Sequence, residues 1–68
     1  MQLSARNQLR AKVTGVSLGN IMAEVRMTVG DQELVAVITR ESVQRLKLQV
    51  GDEAIAVIKA TEVMVARP

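Results

Sequence analysis

The chain has 68 residues with no cysteine and no histidine, and nine basic and seven acidic residues leave a formal net charge of +2. This composition excludes disulfides, zinc sites and most iron sites, and the charge is too small to indicate a nucleic-acid or membrane partner by electrostatics alone. A single domain of this size buries only about 60% of the surface that its unfolded chain exposes, so it needs additional stabilisation. Because 49% of the residues are hydrophobic and none is aromatic, we expect association with other copies to supply it.

The sequence shows no membrane or export signal. No apolar run approaches the 18 or so residues of a membrane span, and the N-terminus lacks a charged region followed by an apolar stretch. The lack of cysteine agrees with a reducing compartment. We therefore predict a cytoplasmic protein without a membrane partner.

Two strands are predicted in the first half of the chain. Apolar residues alternate with polar ones over residues 9–13, and the phase changes at Gly15, which indicates a β-bulge. Gly19 and Asn20 form a turn, and residues 21–29 show the clearest alternation in the sequence before a second turn at Gly30.

Three more strands and one helix are predicted in the second half. Residues 34–38 and 54–58 are apolar on both faces, so one face of each strand needs cover from another element or another subunit. Between them, a helix of about two turns starts at Thr39 or Arg40, with Thr39 as its N-cap. A fifth strand is predicted over residues 63–66.

This element order predicts an all-β fold. Three strands, one short helix and two further strands follow each other in the five-stranded Greek-key barrel called the OB-fold, with the helix between strands 3 and 4. A bulged first strand provides the curvature that a small barrel requires. No repeat, linker or low-complexity segment divides residues 1–68, so we expect one domain.

The stretch Ser-Ala-Arg-Asn-Gln-Leu, residues 4–9, combines donors at a strand entrance. Arg6 presents a permanently charged planar fork of N–H groups, and Ser4 can turn its hydroxyl hydrogen toward an acceptor. Such a cluster suits an anion, although most serine and arginine residues near a terminus are simply solvated.

Similar donors occur at two later positions. Lys59 ends an apolar strand. Ala60 and Thr61 follow it as a small pair that allows a close approach to the backbone, and Thr61 adds a further hydroxyl. Thr39 and Ser42 lie at the helix start, where unpaired N–H groups favour negative charge. A solvated lysine and ordinary helix capping are the alternative interpretations.

The three segments together resemble the molbindins, the stand-alone form of the Mop domain. The resemblance covers the whole chain and is carried by the run at residues 4–9, by Ile-Thr-Arg-Glu-Ser-Val at residues 38–43 and by Ile-Lys-Ala-Thr-Glu-Val-Met-Val at residues 58–65. It implies an OB-like barrel assembled as a homohexamer, a trimer of dimers. It also implies that molybdate or tungstate is bound between subunits as an intact oxyanion, with no direct metal ligand and no catalytic cofactor, for molybdenum storage and homeostasis.

The resemblance also implies which residues bind the anion. Ser4, Ala5, Arg6, Lys59 and Ala60 would line one side of an interfacial site, with Thr39 and Ser42 of a neighbouring subunit on the other. Many relatives have serine where this chain has Ala60. This difference removes one hydroxyl donor and leaves the Ala60 amide, with Thr61 as a weaker candidate.

Three other functions remain as alternatives. A nucleic-acid-binding OB-fold would stack bases on aromatic side chains, which this chain lacks. An enzyme would need an activated nucleophile or paired acid and base groups, and the sequence shows neither. An oligomerisation module, in which the donors only cap strand and helix ends, predicts assembly that does not depend on any anion.

Overall fold

The computed structural model describes residues 5–68, which form one antiparallel sheet of four strands. The strands are β1 (Asn7–Leu18), β2 (Met22–Val29), β3 (Gln32–Thr39) and β4 (Glu53–Ile58). Their spatial order is β3-β2-β1-β4, so the long first strand pairs with β2 through its second half and with β4 through its first half. The predicted all-β class, with one helix between strands 3 and 4, is confirmed.

The predicted bulge in β1 is also confirmed. The β1–β2 register shifts between Val13 and Gly15, where the guanidinium of Arg26 crosses directly over Gly15. A Cβ at position 15 would lie 2.6 Å from Arg26 Nε and 2.8 Å from Arg26 Cζ. Glycine therefore suits this position because an arginine crosses it at close range.

The core is thin and aliphatic. Its innermost side chains are Val13 and Val25, which are 1% and 2% exposed, and small or flexible residues surround them. The remaining members of the buried cluster are Ala11, Ala23, Met27, Val43 and Ala56. Val43 is the buried residue that α1 contributes to this core.

The helix α1 (Arg40–Leu46) follows β3 directly and is capped at both ends. The Thr39 hydroxyl oxygen accepts a hydrogen bond from the Ser42 amide at 3.0 Å, as expected of an N-cap threonine. At the other end Lys47 adopts the left-handed conformation and terminates the helix. Arg40 donates its amide to the Ile21 carbonyl and its Nη1 to the Gly19 carbonyl, so it ties α1 to the β1–β2 turn.

The predicted fifth strand, residues 63–66, is wrong for this chain. After β4 the chain turns through a 3-10 helix, Ala60–Glu62, and residues 63–68 join no strand ladder with the rest of the described chain. A strand requires a neighbouring strand edge for its hydrogen bonds, and residues 63–68 pair with no strand of this sheet. Within residues 5–68 the sheet therefore stays open between β3 and β4.

None of the helices formed by the described residues is long and apolar enough to cross a membrane.

Candidate functional site

The N-terminal candidates lie at the entrance of β1. Ser4 falls outside the described residues, Ala5 is buried, and Arg6 is exposed one residue before the strand begins. The Gln8 side-chain amide donates to the Ala5 carbonyl at 3.3 Å. This bond fixes the backbone around Arg6 and was not expected from the sequence, although Gln8 belongs to the distinctive run at residues 4–9.

The β1–β4 register brings two groups of predicted residues together. Asn7 pairs with Ile58 at the end of the ladder. Arg6 directly precedes Asn7 and Lys59 directly follows Ile58, so Ala5, Arg6, Lys59 and Ala60 all lie just beyond this end of the ladder. We call these four residues the cation cluster.

The cation cluster places two like charges just beyond the same end of the β1–β4 ladder. Like charges near each other repel, and both Arg6 and Lys59 are exposed. Among the described residues the only ion pair joins Arg26 and Glu24 at 3.3 Å, so neither cation of the cluster is paired with a described carboxylate. An anion bound between them would relieve this repulsion.

Backbone amides add to the donors of the cation cluster. The Ala60–Glu62 turn is closed by bonds from the Glu62 amide to the Lys59 carbonyl and from the Val63 amide to the Ala60 carbonyl. These bonds leave the amides of Ala60 and Thr61 unused by the turn, as at any helix N-terminus. Thr61 is exposed within the same turn.

Thr39 and Ser42 form a second group, which we call the hydroxyl pair. The Thr39 hydroxyl donates to Ser42 Oγ at 2.7 Å while accepting from the Ser42 amide. The Thr39 hydroxyl hydrogen is therefore already bonded to Ser42 Oγ. The Ser42 hydroxyl hydrogen is the one that remains available to donate to a ligand.

The cation cluster and the hydroxyl pair lie at opposite ends of the sheet. Arg6 precedes the first residue of β1, whereas Thr39 pairs with Met22 of β2, beside the last residue of β1, Leu18. A strand of this length spans about 36 Å at roughly 3.3 Å per residue, which is comparable to the longest dimension of the molecule, 35 Å. One chain therefore does not bring the two groups to the same small ligand.

The comparisons with known proteins agree with this fold. The model of the TOBE domain matches residues 3–65. The chain belongs to the TOBE domain family. Molybdenum-pterin-binding protein 1 of Clostridium pasteurianum is 44% identical to it over 66 residues, which are 96% of this chain and 97% of that protein.

Two solved structures share the fold of this TOBE domain. A molybdate-binding protein from Sporomusa ovata superposes with a TM-score of 0.94 at 43% identity, covering 98% of this chain and all of that one. The cytoplasmic molybdate-binding protein ModG, in a form with molybdate bound, gives a TM-score of 0.92 at 39% identity and is matched over 49% of its length. The predicted resemblance to the molbindins is confirmed.

Proposed function

We propose that this TOBE domain binds molybdate or tungstate as intact oxyanions at the interfaces of a homo-oligomer. The observation that carries the proposal is the separation of the donors into a cation cluster at one end of the sheet and a hydroxyl pair at the other. Each group is half of a site, and two copies that meet end to end would complete it. The relatives' names, which describe molybdate and molybdenum-pterin binding, supply the identity of the ligand.

The donor set matches the chemistry of a tetrahedral dianion. Molybdate offers four acceptor oxygens and no donor, so its site needs N–H and O–H groups that converge from several directions. Arg6, Lys59 and the Ala60 amide would approach from one subunit, and Thr39 and Ser42 from the next. Hydrogen bonds to charged groups contribute about 1.5 to 3 kcal/mol each, so a few of them offset the dehydration of the anion. Ser4 would add a further hydroxyl.

Selection among oxyanions would follow from the size of the cavity. Molybdate and tungstate are nearly alike and both are larger than sulfate, so a cavity enclosed by two subunits would favour this pair over sulfate. Because the ligand leaves as it entered, the protein needs no catalytic cofactor and performs no chemistry. We therefore propose cytoplasmic molybdenum storage and homeostasis by a homohexamer, a trimer of dimers.

Binding of molybdate by the Arg6→Ala variant tests the proposal. Isothermal titration calorimetry should show at least tenfold weaker binding than in the unmodified protein, because the variant loses a charge-assisted contact. Arg10→Ala is the matched control, since Arg10 is an exposed arginine on the same strand that lies outside the cation cluster. It should bind molybdate like the unmodified protein.

Sulfate serves as the second control in the same titration. Equal affinity for sulfate and molybdate, or equal weakening by Arg6→Ala and Arg10→Ala, would reject a specific interfacial site. A homo-oligomer that forms and binds neither anion would be a plain oligomerisation module.

A further inference from the structure

The Gln8 side chain makes a hydrogen bond to the backbone of the cation cluster. Its Nε2 donates to the Ala5 carbonyl at 3.3 Å, across three residues of the chain. Outside the strand ladders, no other hydrogen bond within residues 5–68 involves Ala5 or Arg6. The conformation of the segment directly before β1 therefore depends on this bond.

Gln8 is well placed to hold that segment. It is the second residue of β1 and pairs with Val57 of β4, so its own backbone belongs to a regular antiparallel ladder. Its side chain reaches from this ladder to a carbonyl outside the strand. Ala5 is only 8% exposed, so its methyl group is packed as well. The bond thus extends the order of β1 beyond the first residue of the strand.

The bond restrains Arg6 through the peptide unit that joins it to Ala5. The Ala5 carbonyl and the Arg6 nitrogen belong to one planar group, which ends at the Arg6 Cα. A hydrogen bond to the carbonyl restricts the rotation of this plane. The direction in which the Arg6 side chain leaves the backbone is restricted with it, although Arg6 itself is exposed.

We propose that Gln8 is a positioning residue for the oxyanion site, which holds Arg6 at the end of the β1–β4 ladder where Lys59 also lies. This role rests on the function proposed above. Gln8 acts through Arg6 and does not contact the anion itself. A segment that is ordered before binding loses less conformational entropy when the ligand arrives, and this difference appears as affinity.

The chemistry of glutamine suits this role. A carbonyl oxygen only accepts hydrogen bonds, so the residue that holds it must donate, and a glutamine amide carries two N–H donors. A glutamate carboxylate at position 8 would face the Ala5 carbonyl with acceptors alone and would repel an anion. A lysine would donate but would add a third positive charge beside Arg6 and Lys59. Glutamine donates without changing the charge of the cluster.

Nitrogen-15 relaxation of the anion-free Gln8→Met variant tests whether the bond orders Arg6. Methionine is unbranched and of similar length but has no donor. The order parameters of the Ala5 and Arg6 amides should fall from about 0.85, typical of rigid backbone, to below about 0.6. Gln32→Met is the matched control, because Gln32 is also an exposed glutamine whose Nε2 makes a 3.3 Å bond, to Asp31 Oδ1. It should leave both order parameters unchanged.

Calorimetric titration with molybdate tests the effect on binding. Gln8→Met should bind about five- to tenfold more weakly, which corresponds to ordering the backbone of one residue on binding. Gln32→Met should bind like the unmodified protein. The urea midpoint and the sedimentation coefficient should not change in either variant, because both glutamines are exposed. If circular dichroism shows that Gln8→Met does not fold, Gln8→Thr replaces it, since threonine favours strands and its hydroxyl does not extend as far as the glutamine amide.

A double-mutant cycle shows whether Gln8 acts through Arg6. In the Arg6→Ala background there is no guanidinium to position, so Gln8→Met should weaken the remaining molybdate binding by less than about twofold. An equal loss of affinity in both backgrounds would show that Gln8 contacts the anion directly.

Three results would overturn the positioning role. These are unchanged order parameters in Gln8→Met, unchanged molybdate affinity in Gln8→Met, and equal losses in the two backgrounds of the cycle. A protein whose binding depends on Arg6 but not on Gln8 would reject this role and leave the proposed function standing. A protein that binds no molybdate would reject both, and a fall in the order parameters would then show only that Gln8 stabilises the entrance of β1.

Discussion

The two hydroxyl side chains at the start of α1 have separable effects. Thr39 caps the helix by accepting from the Ser42 amide, whereas the Ser42 side chain makes no cap. Thr39→Val should therefore lower the free energy of unfolding by about 1 kcal/mol. Ser42→Ala keeps the cap and should change the free energy of unfolding by less than about 0.5 kcal/mol. The same variant should bind molybdate at least tenfold more weakly, because it loses a hydroxyl donor.

Urea unfolding at one fixed protein concentration measures the stabilities, and calorimetric titration measures the affinities. Thr39→Ser is the conservative control, because it retains a hydroxyl that can cap the helix and should preserve most of the stability. If Ser42→Ala leaves molybdate affinity unchanged, the hydroxyl pair is only a helix cap.

The bulge in β1 depends on an interaction between two strands. Arg26 crosses Gly15 and donates to Ser17 Oγ at 3.0 Å and to Glu24 Oε1 at 3.3 Å. Gly15→Ala would displace this guanidinium, so we expect it to be neutral or destabilising by up to about 1 kcal/mol. In the Arg26→Ala background the same change should stabilise by about 0.4 to 1 kcal/mol, since alanine restricts the unfolded chain and Gly15 lacks a positive φ.

A double-mutant cycle on the free energies of unfolding isolates this coupling. We expect an interaction energy of about 1 kcal/mol between positions 15 and 26. Effects of Gly15→Ala that are equal in the two backgrounds would show that backbone geometry, and not Arg26, requires the glycine.

The sequence predicts which residues form strands better than it predicts how those strands pair. Alternation and turn residues locate the first four strands, and the phase change locates the bulge, because these signals depend on neighbouring residues. The pattern of residues 63–66 also indicates a strand, but a strand exists only where another strand edge is available, which local sequence cannot specify. The candidate site has the same limit. The motifs identify the donors, whereas only the strand register reveals that Arg6 and Lys59 lie at one end of the β1–β4 ladder and that Thr39 lies at the far end of the sheet.

At the scale of the whole molecule, assembly and ligand binding should be linked. Thirteen large hydrophobic residues are exposed among the described residues, several of them on the two outermost strands. Stability should therefore increase with protein concentration, because association buries this surface.

Molybdate should add to this stability if it binds between subunits. A ligand at a hundred times its dissociation constant stabilises each site by about 2.7 kcal/mol. For a domain of this size that corresponds to a rise in Tm of roughly 10 °C or more. Differential scanning calorimetry at two protein concentrations, with sulfate as the control anion, measures both effects.

Lys59→Ala should abolish most of the rise in Tm with molybdate and leave the dependence on protein concentration. Lys12→Ala is the control, since Lys12 is an exposed lysine within β1, away from the cation cluster. It should keep the full response to molybdate. A rise in Tm that sulfate reproduces, or that survives Lys59→Ala unchanged, would mean that the anion stabilises the protein through general charge screening. A molybdate response confined to the protein with Lys59 would mean instead that the ligand binds at the cation cluster and stabilises the assembly from there.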